Sequence, residues 1–201
     1  MLETLYERSS WAAGRGLLAF DEAGYGSVAG SMFVAGVIFP INYDFAILCG
    51  LNDSKKLSEK KRFELELMIK REAEWYGIVS RTADEIDSGN VYYMRFAAAE
   101  ALGVHIGNVD VIMDGNVSLN MPNAHSSMCL VKGDSKCPSI AASSILAKCA
   151  KDREMIELHN ECPEYGWNRN KGYLNAAHSA AIVKSGLTRH HRRSYCKKFI
   201  G

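Results

Sequence analysis

The chain has 201 residues, 47% of them hydrophobic, with 24 basic and 23 acidic side chains and a formal net charge of +1. This composition is enough for one compact core, and no apolar run reaches membrane-spanning length, so a membrane-embedded protein is excluded and no membrane partner is expected. Six scattered cysteines without a Cys-x-x-Cys pair, and an N-terminus without an apolar signal core, predict free thiols and a cytoplasmic protein.

Residues 17–36 read LLAFDEAGYGSVAGSMFVAG, in which two apolar runs flank a glycine-rich segment. This pattern predicts a strand, a turn and a second strand. The apolar residues of the first run are consecutive rather than alternating, which is typical of a strand buried on both faces. The first run leads directly into Asp21 and Glu22.

Two adjacent carboxylates at the end of a buried strand are costly unless a cation neutralises them. Carboxylate oxygens suit hard divalent ions such as Mg²⁺ or Mn²⁺. The alternative is that Asp21 and Glu22 are turn residues that end an ordinary strand. Gly24 and Gly26, on either side of Tyr25, favour the metal site, because glycine permits positive φ and the close approach of another molecule.

The remaining elements follow in chain order. After a loop at residues 41–49, Ser58 is the predicted N-cap of a helix of about four turns. The further elements are strands at 75–81, 109–113 and 128–131, and helices at 90–103, 139–159 and 175–184. The order β-β-α-β-α-β-β-α-α predicts an α/β fold with a mixed five-stranded sheet flanked by helices, in which the first two strands can be antiparallel because they need no helical crossover.

Two further acids follow predicted strands, Asp114 after the fourth and Asp134 after the fifth. Sites in open α/β sheets form outside the carboxyl ends of strands. Together with Asp21 and Glu22, these acids could hold two divalent ions about 4 Å apart, as phosphoryl-transfer enzymes do. Taken singly, Asp-Gly-Asn and Gly-Asp-Ser are ordinary turn sequences. The joint pattern favours the metal site.

The charge is divided unevenly along the chain. Residues 166–201 contain eight Lys or Arg and no acid, whereas residues 1–165 hold 16 basic against 23 acidic side chains. A segregated basic tract often contacts phosphate backbones, although it can also serve solubility alone. We therefore expect a catalytic domain at 1–165 and a basic, helical, substrate-contacting segment at 166–201 packed on it.

A set of motifs extends from residue 17 to residue 196 and resembles bacterial ribonuclease HII, the type 2 RNase H family. The motifs are FDEAGYG, LNDSKKLSEK, IMDGN, VKGDSK, SIAASSILAK followed by DRE, YGWNRNKGY and TRHHRRSY. The resemblance implies an RNase H-like fold with a C-terminal helical part. It also implies cleavage of the RNA strand of RNA–DNA hybrids, and nicking of duplex DNA 5′ of an embedded ribonucleotide, leaving 3′-hydroxyl and 5′-phosphate ends.

The resemblance also assigns residues. The implied ligands of two Mg²⁺ or Mn²⁺ ions are Asp21, Glu22, Asp114 and Asp134. The implied loop that senses the 2′-hydroxyl through its backbone is Gly24, Tyr25 and Gly26. Tyr173 is the implied residue at the RNA-to-DNA junction. The chain departs from the family where Tyr25 replaces the usual arginine, and where Leu174-Asn175 replaces Pro-Thr.

Four basic residues complete the predicted substrate contacts. Lys55 and Lys56 could pair with phosphate or orient a carboxylate, or could form only a solvated face before the helix. Arg192 and Arg193 belong to the basic tract. We expect a monomer that binds nucleic acid. The alternatives are a DNA nuclease or strand-transfer enzyme of the same fold, and a non-catalytic nucleic-acid-binding module.

Overall fold

The computed structural model describes residues 2–103, 107–117, 121 and 123–199. The strands are β1 (Gly16–Ala23), β2 (Met32–Ile38), β3 (Trp75–Arg81), β4 (Val109–Asp114) and β5 (Ser126–Leu130). The helices are α1 (Leu5–Ala12), α2 (Glu59–Glu72), α3 (Ala83–Ser88), α4 (Val91–Gly103), α5 (Pro138–Glu161), α6 (Trp167–Asn170) and α7 (Ala176–Ser185).

The five strands form one sheet in the order β3-β2-β1-β4-β5. The β1–β2 and β2–β3 pairs are antiparallel, while β1–β4 and β4–β5 are parallel. The predicted mixed sheet and the antiparallel opening pair are therefore confirmed. The parallel pairs matter for function, because they bring the carboxyl ends of β1, β4 and β5 to the same edge.

Strand β1 is the central strand and is covered on both faces. Leu17 and Ala19 belong to the apolar cluster that contains the α5 residue Ile145, and Leu18 and Phe20 belong to the opposite cluster with α4. Consecutive apolar residues are required because alternate side chains enter different halves of the core. The small residues of α5 let this helix pack closely on the sheet, as the sequence predicts.

Three helices, α1, α3 and the short α6, were not predicted from the sequence. Helix α3 begins at a capping box in which Thr82 and Glu85 bond each other's backbone N–H groups, so the TADE sequence was an available signal. Helix α1 is joined to the core by the buried Glu7, which accepts hydrogen bonds from the N–H and hydroxyl of Ser139 at 2.9 and 2.8 Å. The sequence of α1 is only weakly amphipathic, so the contact between Glu7 and Ser139 decides where this helix lies.

The boundaries of several strands differ from the prediction, and β4 includes Asp114 as its last residue. Strand β1 continues through Ala23, so Asp21 and Glu22 lie inside the strand rather than after it. Their backbone groups pair with β2, which fixes the direction of both side chains. Strand β5 begins at Ser126, two residues earlier than predicted.

The C-terminal segment packs against the turn between β1 and β2. Val28 and Ala29 donate backbone hydrogen bonds to the carbonyl of Gly172 at 2.9 and 3.2 Å, and Arg192 N–H donates to Val28 at 2.8 Å. A separate apolar cluster that includes Ala29 and Trp167 fills the space between them. None of the helices in the described ranges combines the length and the apolar character that a bilayer span requires.

Candidate active site

The acids predicted from the sequence lie at one edge of the sheet. In the parallel register, Phe20 of β1 pairs with Met113 of β4, which places Asp21 beside Asp114. Asp114 in turn pairs with Leu130, the last residue of β5. Asp134 follows in a short 3₁₀ turn, Gly133–Ser135. Three neighbouring parallel strands thus deliver the four carboxylates to the same place.

Local donors hold one oxygen of three of these carboxylates. The N–H of Glu22 donates to Asp21 Oδ1 at 2.7 Å, and the N–H of Gly133 donates to Asp114 Oδ1 at 2.6 Å. Arg95 Nη1 donates to Glu22 Oε1 at 3.3 Å. Each of these three carboxylates is therefore oriented by one oxygen, and its other oxygen is left for a further partner. The Ser144 hydroxyl pairs with that of Ser54 at 2.9 Å, and its proximity to Asp21 opposes the rise in the pKa of that carboxyl.

The site concentrates more negative charge than the local cations balance. Burial, and then the nearby Glu22 and Asp114 charges, raise the pKa of Asp21 well above its usual range. Burial also raises the pKa of Glu22, although Arg95 opposes the shift. The pKa of Asp134 is raised by burial and by the Asp53 and Asp114 charges. Such shifts are expected where carboxylates share a site made for a cation.

The donor chemistry of this edge fits a hard divalent ion. The side chains are carboxylates, and Glu22 Oε2 is buried without a hydrogen-bond partner. Within the described residues, no three Asp, Glu, His or Cys side chains are preassembled as a metal-binding group. The acids therefore converge without forming a closed ligand set. The residues that would hold the ions are Asp21, Glu22, Asp114 and Asp134.

A cleft of about 430 Å³ opens beside Glu22. Its lining includes Gly24, Tyr25, Gly26, Lys55, Ser144, Lys148 and Tyr173. Gly24 has φ +86°, and a Cβ there would lie 2.9 Å from the Ser31 carbonyl oxygen, so glycine is required. No atom lies within 4 Å of a Cβ position on Gly26, which leaves its backbone open to a ligand. The predicted loop, Tyr173 and Lys55 are thus brought together.

The backbone of Tyr173 is held by a chain of neutral histidines, and its side chain is 44% exposed. His178 Nδ1 donates to the Tyr173 carbonyl at 3.0 Å, so its Nε2 accepts from Trp167 Nε1 at 3.1 Å and from His191 Nε2 at 3.2 Å. Burial lowers the pKa of His178, and burial with the His178 charge lowers that of His191 to about 4. Both rings stay neutral near pH 7 and keep this chain intact.

The two predicted lysines differ in position. Burial alone would lower the pKa of Lys55, but the charges of Asp21, Asp134 and Asp53 outweigh it, and the pKa is raised. Lys55 is thus the cation that faces the acids from the segment before α2. Lys56 is exposed and lies 3.9 Å from Asp53 Oδ2, and it is not among the residues that line the cleft.

Arg192 requires a correction, because its side chain is fully buried. Its Nε donates to the Gly30 carbonyl at 3.0 Å and its Nη1 to the Tyr25 carbonyl at 2.9 Å. The predicted direct contact with substrate therefore has no exposed atoms to make it, and Arg192 instead supports the loop. Arg193 is exposed, and its backbone N–H donates to Asp87 at 2.6 Å.

Sequence reasoning missed four polar residues at or beside the site: Asp53, Arg95, Ser144 and Lys148. Asp53 belongs to the DSKK motif, of which only the lysines were considered. Arg95 is the one basic residue of α4, VYYMRFAAAEALG, whose other residues are mostly apolar or aromatic, and this was an available signal. Ser144 stands among small packing residues, and nothing in its local pattern marks it.

A family model described as Ribonuclease HII matches residues 18–198. Ribonuclease HII of Helicobacter pylori (strain HPAG1) is 43% identical over 187 residues, covering 90% of this chain and 91% of the relative. The chain belongs to the ribonuclease HII family. It is therefore an endoribonuclease, and family and fold together support action on RNA–DNA hybrids.

Solved structures agree with this fold. The ribonuclease H2 from Pyrococcus horikoshii OT3 superposes with a TM-score of 0.78 at 21% identity, covering 92% of this chain and 96% of that one. Bst-RNase HIII, solved in complex with Mn²⁺, gives a TM-score of 0.73 at 18% identity and covers 92% and 69%. The RNase H-like fold predicted from the sequence is confirmed.

Proposed function

We propose that this ribonuclease HII hydrolyses the RNA strand of RNA–DNA hybrids and nicks duplex DNA 5′ of a single embedded ribonucleotide. The observation that carries the proposal is the juxtaposition of the four acids with the cleft formed by Gly24–Gly26 and Tyr173. A charged edge suited to phosphodiester hydrolysis thus adjoins a surface suited to sensing one sugar. The products are a 3′-hydroxyl and a 5′-phosphate.

Two Mg²⁺ or Mn²⁺ ions held by Asp21, Glu22, Asp114 and Asp134 would supply an activated water and stabilise the leaving oxygen. The protein's own contribution is orientation. Backbone N–H groups and Arg95 fix one oxygen of three acids. Lys55 places a positive charge beside the acids, where it can meet the phosphate that the substrate brings.

Selectivity for RNA depends on the 2′-hydroxyl, the group that separates the two sugars. The open backbone of Gly26 can approach the ribose closely. Tyr173, half exposed across the cleft, offers a flat ring to the following deoxynucleotide. Because Arg192 supports the loop from beneath through the Tyr25 carbonyl, the missing family arginine at position 25 does not remove the loop's support.

In this proposal residues 1–165 carry the catalytic edge, and residues 166–201 contact the substrate through Tyr173 and the basic tract. We propose further that the enzyme acts as a monomer in the cytoplasm.

A labelled DNA duplex with one ribonucleotide tests the proposal, incubated with Mg²⁺ or with Mn²⁺ beside an RNA–DNA hybrid and an all-DNA duplex. We expect one nick 5′ of the ribonucleotide, cleavage within the RNA strand of the hybrid, and an intact all-DNA control. Cleavage of the all-DNA duplex would favour a DNA nuclease. Tight, salt-sensitive binding without turnover under either metal would favour a non-catalytic binding module.

A further inference from the structure

Arg95 of α4 is the buried cation of this site. Its side chain is 9% exposed and pairs with Glu22, whose side chain is 14% exposed. Helix α4 lies against the opposite face of the sheet from α5, so this guanidinium reaches the acids from the side away from Lys55 and Lys148. A buried charge is retained only with a strong local partner, and Glu22 is that partner.

Aromatic rings hold the guanidinium in place. Its carbon lies 4.7 Å from the ring centre of Phe96, 5.1 Å from that of Tyr92 and 6.0 Å from that of Tyr25. Cation–π contacts of this kind are stronger when they are shielded from water. The lack of a side chain at Gly115 makes room for the guanidinium, because a Cβ there would lie 3.4 Å from Arg95 Nη2. The arginine therefore has little freedom to move away from Glu22.

The two oxygens of Glu22 have different surroundings. Oε1 accepts the hydrogen bond from Arg95, whereas Oε2 is buried and has no partner. An unpartnered buried carboxylate oxygen is costly in a folded protein. The cost is removed if Oε2 is the oxygen that a metal ion uses.

We propose that Arg95 is a positioning residue of the metal site, which holds Glu22 Oε1 so that Oε2 is presented to the divalent ion. The inference rests on the proposed function, since it assigns Glu22 to the metal. It also connects the metal site to the recognition loop, Gly24–Gly26, because the same guanidinium lies against the Tyr25 ring.

The direction in which the metal affinity changes distinguishes a positioning role of Arg95 from the effect of its charge alone. If Arg95 acted only through its charge, removing it should strengthen metal binding, because the Coulomb repulsion between the guanidinium and the metal ion would be lost. Removing a residue that orients a ligand should weaken it, by about 10- to 100-fold in the dissociation constant. Arg95→Met deletes the charge and hydrogen bond while keeping an apolar stem among the rings.

The test measures Mn²⁺ binding without nucleic acid, by the electron paramagnetic resonance of free Mn²⁺ up to millimolar concentrations. We expect Arg95→Met to raise the dissociation constant about 10-fold or more. Arg15→Met is the matched control, because Arg15 pairs with Asp110 at 3.0 Å near the opposite end of β4, and its dissociation constant should be unchanged. Circular dichroism confirms that each variant is folded.

A double-mutant cycle separates positioning from general disruption of α4. In a Glu22→Gln background, Arg95→Met should cause no further weakening, because the group that it orients has changed. Equal weakening in both backgrounds, or unchanged or tighter binding in Arg95→Met alone, would overturn the inference and leave the proposed function standing. Absence of Mn²⁺ binding by the unaltered protein would instead overturn the proposed function, and the inference with it.

Discussion

Replacing Asp21 with Asn is expected to lower cleavage of a hybrid about a thousandfold or more and to stabilise the metal-free protein at pH 7. The rate falls because one charged ligand beside Asp114 is lost, and a loss of about 4 kcal/mol in transition-state stabilisation corresponds to that factor. The free energy of unfolding should rise by about 1 kcal/mol, because a buried carboxylate that is repelled by Glu22 and Asp114 becomes neutral.

The gain in stability should depend on pH in a defined direction. A carboxyl whose pKa is raised on folding carries no penalty below its unfolded pKa, and the penalty grows as the pH rises through that value. The advantage of Asp21→Asn should therefore disappear as the pH is lowered towards about 4. Urea unfolding of both proteins in chelator at several pH values measures this.

Asp110→Asn is the matched control, on the same strand as Asp114. Burial alone would raise the pKa of Asp110, but hydrogen bonds from Ser126, Ser10 and Arg15 lower it, so its charge stabilises the fold. Neutralising Asp110 should lower the free energy of unfolding at pH 7, whereas Asp21→Asn should raise it. An Asp21→Asn protein with full activity, or one less stable than the unaltered chain at pH 7, would refute the assignment of Asp21.

Asp152→Ala is expected to lower the free energy of unfolding by about 3–5 kcal/mol. Asp152 is fully buried and accepts from Arg62 Nη2 at 2.8 Å and from Lys148 Nζ at 2.6 Å. Its removal leaves two cations without their shared carboxylate, and Arg62 itself has little access to water. A charge left unpaired in the interior is among the most destabilising changes available to a single substitution.

Asp152→Ala should also disturb the active site, through the segment that carries Lys55. Arg62 Nη1 donates to the carbonyls of Ser54 and Leu57 at 3.2 and 2.6 Å, and these residues flank Lys55. Weaker hybrid binding should therefore accompany the lost stability. Glu64→Ala is the control, since the Lys61–Glu64 pair is exposed at 4.0 Å and such pairs contribute less than about 1 kcal/mol. Equal midpoints of urea unfolding for the two variants would contradict the prediction.

The features that could be predicted from the sequence are those that depend on neighbouring residues in the chain. Asp21, Asp114 and Asp134 follow apolar runs, and parallel strands bring such ends together, so the meeting of these acids at one edge of the sheet could be predicted from the sequence. Arg95 could not be placed, because its pairing with Glu22 joins residues 73 positions apart on different elements. A charge on an apolar helix has no local rule that names its partner.

Arg192 was misplaced for a related reason. In a basic tract, an arginine is expected at the surface, and most arginines are found there. Its burial depends on two carbonyls, those of Tyr25 and Gly30, that the β1–β2 turn leaves inside the protein. Only the folded backbone shows that these acceptors need a donor from the far end of the chain.

The contacts of Arg192 have a consequence for the order of folding. They join positions separated by 162 and 167 residues, whereas β1 and β2 are neighbours in sequence. Long-range closure carries a larger entropic cost than a hairpin, so the recognition loop should acquire its final shape after the central sheet. Pulse-labelled hydrogen exchange during refolding should protect the β1 and β2 amides first and those of Val28 and Gly30 later. A partly folded chain would then carry its acids without the finished loop that we propose selects a ribonucleotide.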